Sequence, residues 1–103
     1  MKFKLATAFL VIAFLFTACG EKTDVVDSGT YRGTVDKVEP SKTEIYVKTS
    51  DNKTLELYFT ENTTLTRNGE TVEFSNLEEG QQVEVDVEKS GKRLDPIAVR
   101  ILN

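Results

Sequence analysis

Histidine and tryptophan are missing from this 103-residue chain, methionine occurs only as Met1, and cysteine only as Cys19. Without histidine the commonest general base and transition-metal ligand are gone. No Cys/His zinc pattern can be assembled. A solitary cysteine cannot close an internal disulfide. Proline is confined to Pro40 and Pro96, and neither repeats nor low-complexity tracts occur. Long apolar runs are absent too: the one such stretch, residues 5–16, holds twelve residues, short of the ~20 that a spanning helix needs.

That stretch is nevertheless informative. Lys2 and Lys4 precede it, and Phe16-Thr17-Ala18-Cys19 closes it. The order is that of a secretory signal with a cleaved apolar core. Ala18 suits the position before the cut, but bulky Phe16 two residues earlier disfavours the ordinary peptidase. A large apolar residue there, with cysteine after the cut, resembles the lipobox of bacterial lipoproteins, in which Leu is more usual than Phe. The resemblance implies removal of residues 1–18, diacylglycerol on the Cys19 thiol and acylation of the new amino group. The lipid bilayer is then a partner through acylated Cys19. One acyl chain binds marginally, whereas two or three hold effectively permanently. By the family's sorting pattern, Gly20 instead of Asp favours the outer membrane where the source has two membranes.

From Cys19 onward, 11 basic residues face 17 acidic ones, a formal net charge of −6. Such a surface repels phosphate backbones, so nucleic acid is not an expected partner. Residues 19–29 read as the lipidated cysteine and a flexible polar tether. Residues 30–103 are long enough for one domain with a thin core.

Period-two alternation dominates that domain and predicts half-buried strands. Val83, Val85 and Val87 alternate with Glu84, Asp86 and Glu88; Leu55, Leu57 and Phe59 with Glu56 and Tyr58. Ile45, Val47 and Thr49 alternate with Tyr46 and Lys48, and Ile97, Val99 and Ile101 with Ala98 and Arg100. In the first strand Val35 and Val38 cannot share a face without a bulge near Asp36 and Lys37, and Gly33 tolerates sharp coiling. A three- or five-residue loop between the second and third strands keeps Val47 and Leu55 on one face. In the three-residue form Asn52 is left-handed. Asn68-Gly69 signals a type I′ hairpin within residues 64–74. Residues 75–80 read as one helical turn ended by Gly80, capped by Ser75 or Asn76, with Leu77 plugging the barrel end. Pro96 makes the last strand edge-like or irregular.

Three strands, an inserted hairpin and turn, then two strands is the order of an OB barrel with its usual helix replaced. The pattern Gly33-x-Val35, Asn62-Thr63-Thr64 leading to Asn68-Gly69, Leu77-Glu78-Glu79-Gly80-Gln81-x-Val83-x-Val85 and Ala98-x-x-Ile101 resembles small OB-like domains of unknown function in exported bacterial proteins. The resemblance implies a fold and brings no chemistry. The expected architecture is an all-β, five- to seven-stranded OB-like barrel preceded by a cleaved signal helix; an SH3-like barrel or an open meander is the alternative.

On the outer face of the second and third strands, Tyr46, Lys48 and Tyr58 form a candidate ligand face. A five-residue loop is expected to set Tyr46 directly opposite Tyr58, a stacking platform for a glycan or an aromatic group. The plainer account is a cross-strand aromatic pair worth ~0.2–1 kcal/mol to the sheet. Lys48 among Glu44 and Glu56 does not make the positive groove that single-stranded nucleic acid needs. Glu84, Asp86 and Glu88, spaced ~6.6–6.8 Å along a strand, read as a solvated face paired with Arg100 or Lys92, not as a metal site. Paired carboxylates without a deep cleft do not suggest glycoside hydrolysis. No cofactor and no enzymatic activity are expected, and oligomeric state is left open. The function expected is a lipid-anchored module of the bacterial cell envelope that binds, or is accessory to, an envelope protein or saccharide. The alternative is a structural or stress-related envelope protein without a dedicated ligand.

Overall fold

The computed structural model describes residues 22–103. The signal sequence over 1–18 and Cys19 lie outside them. Seven strands run through the described residues: β1 (Gly29–Glu39), β2 (Glu44–Thr49), β3 (Thr54–Tyr58), β4 (Thr64–Arg67), β5 (Glu70–Thr71), β6 (Gln82–Ser90) and β7 (Arg93–Ile101). Short 3₁₀ turns occupy Pro40–Lys42 and Phe74–Asn76, and no α-helix occurs among the described residues.

One sheet holds all seven strands in the order β3-β2-β1-β6-β7-β4-β5. Every pairing is antiparallel except β4 with β7, where Thr64 to Arg67 run parallel beside Ala98 to Ile101. Because the chain passes from β3 through residues 59–63 into β4, the two ends of the sheet are joined and it curls into a barrel. Alternation fills the interior: Ile45, Val47, Leu55, Leu57, Val83, Val85 and Val99 are fully buried. The hairpin expected between the third and fourth long strands is present, with Asn68 and Gly69 both left-handed (φ 54° and 81°). Its first arm does more than expected, since β4 is the strand that closes the barrel.

β1 bends sharply enough to pair with β2 on one side and β6 on the other. Its register slips between Val35 and Lys37, so Asp36 is the extra residue of a bulge. That slip buries Val35 and packs Val38 against the core. At Gly33 the neighbouring strand comes so close that a side-chain carbon would clash with the Lys48 carbonyl and lie 2.8 Å from Val47 Cγ1. Between β2 and β3 the ladder ends at Lys48 and Thr54. The five-residue loop is held by Thr49 N–H to Lys53 O (2.8 Å), and Asn52 is left-handed (φ 69°).

Two local expectations are corrected. The turn after the hairpin is 3₁₀ and begins at Phe74, whose ring meets Phe59 edge-on at 5.1 Å. Leu77 follows it in extended, buried backbone, and Gly80 (φ 93°) belongs to a separate turn that donates to Val35 O. On the last strand Ile97 does not point inward with Val99 and Ile101. The β6 register jumps from Ala98 to Pro96, leaving Ile97 as a bulge residue 42% exposed. Pro96, lacking an N–H, interrupts the ladder there.

Candidate functional site

The outer face of β2 and β3 carries Glu44, Tyr46 and Lys48 beside Thr54, Glu56 and Tyr58. The Val47–Leu55 register pairs Tyr46 with Glu56 and Tyr58 with Glu44. The two tyrosines are therefore diagonal neighbours, not directly opposite as expected. Tyr46 Oη donates to Glu56 Oε2 at 3.4 Å. Lys37 Nζ sits 5.5 Å from the Tyr46 ring centroid and 3.0 Å from Glu39 Oε2, a cation over an aromatic face. That ammonium holds the Glu39 carboxyl below its ordinary range.

Residues 22–28 lie on the barrel. Asp24 N–H donates to Thr54 O (2.7 Å), and Thr54 N–H donates to Asp24 Oδ2 (2.9 Å). Tyr31 Oη donates to Asp27 O (2.7 Å), Lys89 N–H donates to Ser28 Oγ (2.8 Å), and Val26 packs against the core. This strap divides the candidate face. On one side Lys22, Thr23, Lys37, Tyr46, Lys48 and Asp36 line a groove of about 160 Å³. On the other, Thr23 and Val25 bound a 70 Å³ crevice with Glu56, Tyr58, Arg93 and Leu94. Tyr46 and Lys48 thus share one groove, whereas Tyr58, 43% exposed, lines the other.

Glu44 is the residue that strand alternation did not flag. Its side chain points away from the core yet is 0% exposed, and neither carboxyl oxygen has a hydrogen-bond partner of good geometry among the described residues. Burial raises its pKa, and the nearby Glu56 carboxyl adds to the rise. Tyr58 is pushed up to about 12, first by Glu44 and then by Glu56. The direction is what burial dictates, because removing a carboxylate from water penalises its charged form.

The acidic face of β6 is an ion-pair network. Arg100 reaches Glu84 Oε1 at 3.0 Å and both Asp86 oxygens at 2.7 and 3.1 Å; Arg32 reaches Glu84 Oε2 at 3.2 Å. Arg100 lowers both carboxylates, helped by Arg32 at Glu84 and Thr30 at Asp86. Glu88 is exposed. No group of three metal-ligating side chains occurs among the described residues. At the far end of the barrel a groove of about 400 Å³ is lined by Phe59, Phe74, Leu65, Val72 and several threonines. The alternation of β3 hinted at Phe59, but nothing in the sequence joined it to Phe74.

A bent first strand shared by two sheet halves and a parallel closure onto the last strand define an all-β barrel of OB type. The fold is similar to that of CusF from Escherichia coli, in a 1.0 Å structure of a tryptophan-to-alanine variant with Cu(II): TM-score 0.59, 12% identity, 75% of this chain and 94% of that one. At that identity the likeness is one of fold. No protein-family model matches the chain, and a search of curated proteins finds no match.

Proposed function

We propose that the chain is a lipoprotein of the bacterial cell envelope, anchored through acylated Cys19, whose barrel binds or assists an envelope saccharide or protein through the Tyr46 groove. The observation that carries the binding role is the convergence of an aromatic ring, half-buried Tyr46, with the Lys22 and Lys48 side chains on one groove. Neither Lys22 nor Lys48 is ion-paired among the described residues. An aromatic face offers stacking and two ammonium groups offer donors, which suits a sugar ring bearing acidic substituents or an acidic peptide. Tyr58, across the strap, extends the same face.

The Cu(II) of the CusF structure is not carried over. Residues 22–103 contain no histidine, methionine or cysteine, the nitrogen and sulfur donors that copper favours.

Membrane fractionation tests the anchor: Cys19→Ser should move the protein from the membrane to the soluble fraction, and its persistence on membranes in high salt would refute acylation as the tether. A pull-down from solubilised envelopes tests recognition, with enrichment expected for wild type and lost in Tyr46→Ala and Lys48→Ala. The second reading, an envelope protein without a dedicated ligand, is favoured by the strap, which covers part of the candidate face with the chain's own residues. Equal recoveries for wild type and both variants would select it.

A further inference from the structure

We infer that the Tyr46 groove takes a single sugar residue carrying one negative charge, and that Asp24 is a positioning residue for it. This rests on the reading of that groove as the binding site. Charge, backbone and size each narrow the ligand. Lys37 is matched by Glu39 at 3.0 Å. Of the other charged side chains lining the groove, Lys22 and Lys48 face one carboxylate, Asp36. One positive charge is left over on a chain that is otherwise acidic, which favours a monoanion.

Strand addition has no edge to use beneath this ligand. Tyr46 and Lys48 lie on β2, which is paired with β1 on one side and β3 on the other. At the neighbouring edge, the N–H and C=O of Thr54 are both taken by Asp24. An extended peptide would find no unpaired main chain at β2 or Thr54. A sugar needs only side chains: its hydroxyls accept from the two ammonium groups and donate to Asp36, and the Tyr46 ring offers apolar surface. The groove, about 160 Å³, is about half the ~300 Å³ at which pockets begin to enclose a drug-sized ligand. It therefore holds one residue, free or within a longer saccharide.

The nearest fastening of Lys22 to the barrel is two residues on, at Asp24; the next printed along the strap are at Asp27 and Ser28. The Asp24 carboxylate is turned to the Thr54 N–H, and removing its charge alone would favour an anion. A loss of affinity in Asp24→Ala therefore has the sign of lost positioning. Asp24→Asn keeps a carbonyl oxygen for the same N–H.

Amide chemical shifts of the full lipidated protein in detergent micelles are followed against probes of one residue each: methyl galacturonoside, the sulfate ester of methyl glucoside, neutral methyl galactoside and a capped glutamate. Saturable shifts at Thr23, Tyr46 and Lys48 are expected with the two anionic glycosides, the tighter of which names the anion, and several-fold weaker binding with the other two. Lys22→Gln, Lys48→Gln and Asp24→Ala should each weaken binding roughly 3–10-fold. The Lys22→Gln, Asp24→Ala double variant should lose no more than either alone, and Asp24→Asn should bind like wild type. Additive losses, or an equal loss in Asp24→Asn, overturn the positioning role. Neutral glycoside or capped glutamate binding as tightly at the same amides overturns the ligand class and leaves the groove a binding site. Shifts from none of the probes overturn this inference, and the reading beneath it falls with it only if the envelope pull-down also gives equal recoveries.

Discussion

Gly33 is where the bend of β1 is most exposed to a single-atom test. Gly33→Ala adds one methyl group, which would clash with the Lys48 carbonyl oxygen and lie 2.8 Å from Val47 Cγ1 and 2.9 Å from the Lys48 carbonyl carbon. Two of those three neighbours are backbone of a paired strand, so relief requires β2 to move away from β1. Moving it disturbs the buried Val47 and its partner Leu55, both 0% exposed. Overpacking of this kind costs ~1–3 kcal/mol, and a backbone obstacle places it at the upper end. A domain of about seventy-five residues has only ~4–11 kcal/mol of total stability, and each kcal/mol shifts Tm by ~4–8 °C at this size.

The expected fall for Gly33→Ala is therefore on the order of 10–20 °C. It is measured by thermal unfolding followed by circular dichroism, in signal-free protein carrying Cys19→Ser. Gly29→Ala is the control on the same strand: the nearest heavy atom to its added carbon is Tyr31 Cε1 at 3.8 Å. Restricting the unfolded chain there stabilises by up to ~1 kcal/mol. If the two variants melt within about 2 °C of each other, the close approach of β1 and β2 at Gly33 is wrong.

Ile97 and Ile101 sit on one strand, but only Ile101 is buried; Ile101→Ala should cost ~2–5 kcal/mol and Ile97→Ala no more than ~0.5 by urea unfolding. Arg100→Met should lower Tm by a few degrees only, because water reaches about a third of the Arg100 side chain, 36% exposed. Glu84 and Asp86 have lowered pKa values, so their contribution is present above the ordinary carboxylate range near ~4 and lost as pH falls through the folded values. The acid limb of stability against pH should therefore flatten in Arg100→Met. Glu44 has the opposite sign: its raised pKa gives stability that is full below ~4.3 and lost as pH rises through the folded value. Glu44→Gln should gain stability relative to wild type as pH rises toward neutrality, and parallel urea midpoints across that range would refute a buried acid at this position.

What the chain declares in advance is what depends on neighbours in sequence. The alternation of Val83, Val85 and Val87 places their faces correctly because a paired strand has only two faces to choose from. Asn68-Gly69 specifies its turn because both residues accept a left-handed backbone. Val35 and Val38 reveal the bulge between them by their spacing alone. The offset between Tyr46 and Tyr58 is already implicit in the Val47–Leu55 register, which forces position 46 onto position 56. By contrast, the parallel pairing of β4 with β7 joins segments over thirty residues apart and has no local signal. The outward turn of Ile97 overrides an apolar pattern because Pro96 breaks the ladder beside it. At the site, Tyr46 and Lys48 share a groove as adjacent outward residues of one strand should. Their separation from Tyr58 was not legible, since it is imposed by a segment that reads as plain polar linker.

That strap follows from the way the barrel closes. The parallel closure onto β7 begins only at Thr64, so β3, which ends at Tyr58, keeps an edge without a strand partner among the described residues. An uncovered edge invites pairing with other chains, and its N–H and C=O groups must find partners if water is excluded. Asp24 supplies both at Thr54, its own N–H to the carbonyl and its carboxylate to the N–H. This kind of covering is made by backbone and one acidic side chain, with Val26 as the main apolar contact. A segment can therefore be polar in composition and still be fixed in place.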